Sequence, residues 1–146
     1  MSLESLRKLR RQRVEALMME LAQIAQALGL HEARQRGIET EMHTEAEQYR
    51  LHTTRGLSIE ELLEWQARMD SQEAALRHVQ VDLEQATLAW THTNQLLVEA
   101  NQECKVLDRV LERREAMERR DVVRHEQQAT DEAASRRSEF RWKSSL

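Results

Sequence analysis

The chain has no proline and only three glycines, Gly29, Gly37 and Gly56, among its 146 residues. Such a composition, dominated by Glu, Arg, Gln, Ala and Leu, is that of long helices rather than of a layered globular domain. Aromatic residues make up only 3% of the chain, so a thick aromatic core is not available. Cys104 is the single cysteine, which excludes an intrachain disulfide and a CxxC site and makes a reduced compartment the default. No apolar run approaches the roughly 18 residues expected of a membrane-spanning helix. The basic N-terminus, MSLESLRKLRRQR, lacks the apolar core of a signal peptide. These features predict a soluble, cytoplasmic protein. A formal net charge of −4 argues against a general nucleic-acid binder.

What the chain does have is a comb. Leu62, Met69, Leu76, Leu83, Trp90, Leu97, Cys104 and Leu111 recur every seven residues. A straight α-helix cannot keep such a stripe on one side unless it supercoils around a partner. Trp65, Gln72, Val79, Ala86, Thr93, Ala100 and Leu107 form a second row three residues further on. The small residues of that row would let two helices approach closely. The first half has its own heptads: Val14, Leu21, Leu28, Gln35, Met42 and Tyr49, with Leu17, Ile24, His31 and Ile38 three residues after the first four. Gly29 and Gly37 lie within this pattern without shifting its phase. One helix over about 3–52 is therefore predicted.

Between the halves, Thr53-Thr54-Arg55-Gly56 interrupts the pattern, and Gly56 suits a positive φ. Ser58 and Glu61 then read as a capping box, with Leu57 and Leu62 placed as a hydrophobic staple. A second helix is predicted over about 59–134, with a turn at 53–58. The tail, 135–146, has no heptad and is expected to fray. The fold class is therefore all-α: two long helices in an antiparallel coiled-coil hairpin, one domain over 1–146. With the turn centred near Arg55, facing residue numbers add to roughly 111. Leu3 then lies opposite Asp108. The second helix overhangs the first after Leu111.

Charge is segregated. Arg7, Lys8, Arg10, Arg11 and Arg13 stand near the N-terminus against Glu4 alone. Residues 58–108 hold ten acids and three bases, and bases return with Arg109, Arg113, Arg114, Arg119, Arg120 and Arg124. In an antiparallel hairpin both basic segments lie at the same end. That arrangement suggests different partners at the two ends.

Catalytic and metal motifs are missing. There is no Gly-rich phosphate loop, no GxSxG, no HExxH, and no Glu followed by His three residues later. Neither enzyme activity, nor a metal, nor a cofactor is expected. His43, with Glu39 and Glu47 a turn away, reads as a solvated surface group. Cys104 and Trp90 read as seam residues. Tyr49 and Trp65 serve either to pack the turn end or to meet a partner. Phe140 and Trp142 are candidate docking anchors in the tail.

The stretch KVLDRVLERRE at 105–115, followed by AMERRD and HEQQATDEAASRR, resembles the C-terminal signature of the flagellar export protein FliJ family. The basic run at 6–12, the EQYR before the turn and the ELLEWQ after it are also similar to that family. The resemblance implies a stalk whose terminal end enters a ring of a FliI-like export ATPase hexamer. Its turn end would meet a FlhA-like export gate, and export chaperones would be further partners. It also implies peripheral attachment, through partners only, at the cytoplasmic face of the inner membrane. Combined with the charge pattern, it makes Arg7, Arg10, Arg11, Arg13, Arg109, Arg113 and Arg114 the expected ring contacts. Tyr49, Trp65 and Met69 are the expected gate contacts. Injectisome stalk proteins look alike. A coiled-coil adaptor or chaperone without an ATPase partner is the rival reading. A hairpin gripping RNA through its basic end is a third.

Overall fold

A computed structural model describes residues 2–145 of the chain. Met1 and Leu146, which the single-hairpin reading includes, lie outside the described residues. Two helices account for nearly all of it: α1 spans Leu3–Arg55 and α2 spans Ile59–Ser144. Among the described residues there is no strand. The chain divides into two compact units. One is Gln12–Ala100, which contains the turn; the other joins Met1–Arg11 to Asn101–Leu146.

Within the turn unit the helices run antiparallel. Glu45 of α1 meets Arg68 of α2, and Tyr49 meets Trp65. The turn has the local chemistry its sequence requires. Gly56 takes a φ of 91°, a conformation that costs an L side chain about 1 kcal/mol or more. The Ser58 hydroxyl accepts a hydrogen bond from the backbone N–H of Glu61 at 3.1 Å. The Ser58 carbonyl accepts the first helical bond, from Leu62, at 3.0 Å. The return half of the capping box does not form: among the described residues the Glu61 carboxylate makes no hydrogen bond to Ser58.

In the terminal unit the helices are again antiparallel, with Arg7 opposite Asp108 and Arg10 opposite Glu103. Ser2 caps α1, its hydroxyl accepting from the N–H of Ser5 at 3.2 Å. The register differs from the sequence expectation. Arg7, not Leu3, lies against Asp108, a shift of about one helical turn. Within the turn unit a like shift is seen, since α1 continues to Arg55 instead of ending near His52 and Tyr49 meets Trp65.

The seam follows the heptads of α1 closely. Val14, Leu17, Leu21, Ile24, Leu28, His31, Gln35, Ile38, Met42 and Tyr49 are all covered at least in part, and most of their neighbours are exposed. Of the polar members, Gln35 donates to Glu39 on its own helix at 3.2 Å. On α2 the deepest row is Trp65, Val79, Thr93, Ala100 and Leu107, not the more apolar comb. Val79 is fully buried, whereas Leu62 is 42% exposed and Trp90 37% exposed. Trp90 is thus an edge residue rather than core. Its bulk cannot enter a seam whose centre is held close by Ala86, Thr93 and Ala100.

The tail also departs from expectation. α2 continues to Ser144 instead of stopping near 134. Residues 112–144 contain no glycine or proline and are rich in Ala, Glu, Gln and Arg, whose backbone preference sustains a helix without packing. Intrahelical pairs such as Arg114–Glu118, at 3.6 Å, add to it.

Within each unit few side chains are fully covered, so the helices share a seam rather than a thick core. Among the described residues no helix is long and apolar enough to cross a membrane.

Candidate functional site

Two clusters carry chemistry, one in each unit. The first is basic. In the terminal unit, α1 contributes Arg7, Arg10 and Arg11, and α2 contributes Arg109, Arg113 and Arg114. Two of these are held across the helix pair. Arg7 Nε lies 3.0 Å from Asp108 Oδ1, with both side chains about one-third exposed. The contact is close but poorly aligned as a hydrogen bond, since Nε is buried without a well-directed acceptor. Arg10 donates to the Glu103 carbonyl at 3.2 Å. Arg11, Arg109 and Arg113 are exposed and free of ion pairs among the described residues. Arg114 is exposed and leans towards Glu118. Arg13, the seventh expected contact, belongs to the turn unit and is exposed there.

This distribution separates two jobs. Arg7 and Arg10 are partly neutralised and pin α1 to α2. Exposed guanidiniums at Arg11, Arg109 and Arg113 present planar donors suited to carboxylates on a partner. Asp108 and the Glu103 carbonyl were not singled out from sequence. No local signal marks them, because the register that sets them opposite Arg7 and Arg10 depends on the turn.

The second cluster is aromatic and lies near the turn. Tyr49 and Trp65 meet edge to face with ring centroids 5.9 Å apart. His52 packs on the same indole at 5.9 Å. The Arg68 guanidinium lies over the Trp65 ring, 4.3 Å from its centroid, in a cation–π geometry. Trp65 is only 6% exposed, so its face is already occupied. Tyr49 and Met69 are half-buried at its edges. Glu45 Oε2 is buried beneath, 4.0 Å from Arg68 Nε and without a hydrogen bond. Glu45 falls seven residues after Ile38, so its place in the seam was legible from spacing. Its link to Arg68 was not. Leu51, Ile59, Leu62 and Leu63 are exposed apolar residues of the same unit.

The guanidiniums, aromatic rings and exposed aliphatic edges of the two clusters are groups suited to recognising a surface. Among the described residues no three His, Cys, Asp or Glu side chains converge as metal ligands. Cys104 is a free, half-buried thiol within the seam.

Residues 1–141 match the family model described as "Flagellar FliJ protein". No curated protein and no solved structure matches the chain significantly.

Proposed function

This chain belongs to the flagellar FliJ family, and from that premise we propose that it is the non-enzymatic coiled-coil stalk of a flagellar export ATPase. Family membership makes it a flagellar export component. The finer reading is that the terminal unit enters the ring of a FliI-like hexamer. Arg11, Arg109, Arg113 and Arg114 engage acidic groups of the ring, while Arg7 and Arg10 hold the two helices together behind them. Arg13 extends the basic surface along α1. A single asymmetric insert cannot contact six equivalent subunits in the same way. It favours a different state in each, promoting ring assembly and ATP turnover.

The turn unit then faces a FlhA-like export gate. Trp65 acts from beneath, fixing Tyr49 and Met69 so that their outer edges meet the gate. Export chaperones are further partners, and the protein works at the cytoplasmic face of the inner membrane through these partners alone. The single observation that carries the reading is the family match over 1–141, joined to a segment of α2 that has exposed arginines and no α1 opposite it.

The test is ATP hydrolysis by the export ATPase of the same organism, titrated with this protein. A saturable rise with parallel ring formation is expected. Replacing Arg11, Arg109, Arg113 and Arg114 together by Glu should lower the stimulation by about tenfold or more, with helicity unchanged by circular dichroism. No stimulation by a helical preparation would instead support the adaptor reading and direct the search to chaperone partners.

A further inference from the structure

Beyond Leu111, which is 8% exposed, every described residue of α2 except Ala116 is exposed. One side of this stretch combines small and apolar residues with one charge of each sign. Ala116, Arg119, Val122, Val123, Glu126 and Ala129 are spaced by three and four residues and so share one side of the helix. Val122 is 55% exposed and Val123 59%. A shallow groove lined by Glu115, Glu118, Arg119, Val122 and Val123 runs along this side. Arg113 and Arg114 lie off this face.

The face is complementary to itself. A twofold axis set between Val122 and Val123 places Val122 of one copy opposite Val123 of the other. The same axis brings Arg119 opposite Glu126, and Ala116 opposite Ala129. Each of these pairs occurs twice. The charges are available for it: among the described residues neither the Arg119 guanidinium nor the Glu126 carboxylate has an ion-pair partner. The backbone carbonyl of Glu126 accepts from Thr130, which leaves the carboxylate free. The alanines at either side allow the two backbones to come close. A parallel arrangement of two copies would instead set Arg119 against Arg119.

We infer that the unpaired stretch of α2 is a homodimerisation surface, its occupant a second copy of the same stretch running antiparallel. Val122 and Val123 form the central layer, and the two Arg119–Glu126 pairs fix direction and register. This stretch belongs to the terminal unit proposed to enter the ring, so a second copy and the ring would compete for it. The pairing itself uses none of the arginines named as ring contacts, and its test needs no ATPase.

Sedimentation velocity of the full chain over ~5–200 µM tests this directly, because a short two-helix contact belongs to the weak end of the affinity scale. A reversible monomer–dimer equilibrium is expected. R119E alone, or E126R alone, sets like charges opposite each other twice and should weaken the dimer roughly tenfold or more. The R119E/E126R double variant restores the opposite-charge pairing and should recover it. Arg and Glu have similar helix preference, so helicity should be the same in all four proteins. A wild-type chain that stays monomeric throughout this range overturns the inference. So does a dimer that survives both single reversals, since that dimer would use another surface.

Discussion

The turn unit and the terminal unit are cut from the same two helices, yet they are stabilised differently. Around the turn, α2 has a partner along its whole length. Its buried row runs through Trp65, Val79, Thr93 and Ala100, and a glycine turn and a serine cap fix where it begins. In the terminal unit α2 has a partner only as far as Leu111, and the following residues are helical on backbone preference and intrahelical pairs. Helicity alone therefore says little about stability here. A residue's contribution depends on whether another helix lies opposite, and the surface left over where none does is the part free to bind.

Single substitutions at matched residues sharpen this contrast. The largest effect should come from Val79→Asp, which puts a carboxylate into a fully buried side-chain position. A loss of about 3–5 kcal/mol is expected, read as a collapse of the thermal transition followed by circular dichroism. Val123→Asp, a like change on the unpaired stretch, should shift stability by no more than about 0.5 kcal/mol. Equal effects of the two would mean that the unpaired stretch is packed in the monomer.

Next in size is Trp65→Ala. It removes the ring on which Tyr49, His52 and Arg68 converge and should cost about 3 kcal/mol or more by denaturant titration. Trp142, 66% exposed on the unpaired stretch, gives the counterpart, and Trp142→Ala should be near neutral. The smallest expected change is at the start of α2. Ser58→Ala removes the hydroxyl that caps Glu61 and should cost about 1 kcal/mol, with Ser58→Gly costing less. A neutral Ser58→Ala would show that water satisfies that N–H equally well.

The arginines show how far a local reading reaches. That residues 1–13 and 109–124 are basic is plain in the sequence, and an antiparallel fold puts both at the terminal end. Which arginines stay free is a different matter. Arg7 and Arg10 read no differently from Arg11, yet they are engaged by Asp108 and by the Glu103 carbonyl. The same holds at the turn. Trp65 and Tyr49 were legible as a pair near the turn, but Arg68 over the indole follows only once both helices are placed. The tail erred in the opposite direction. Loss of heptads implied fraying, whereas a helix needs no partner where its residues favour it and no glycine or proline intervenes.

By itself, the sequence determined that this protein is two helices with one turn. Seven-residue spacing can be satisfied only by supercoiled helices, and Gly56 followed by Ser58 and Glu61 marks the one place where the backbone reverses. It also determined which positions of α1 line the seam, because a period of seven puts them on one face whatever the partner. Only the tertiary structure decided which row of α2 lies deepest, by how much the register slides, and which charges remain for a partner. Those outcomes depend on the relative placement of two helices. That placement is set by the length of the turn and by the close approach that Ala86, Thr93 and Ala100 permit, neither of which is a property of any single stretch of sequence.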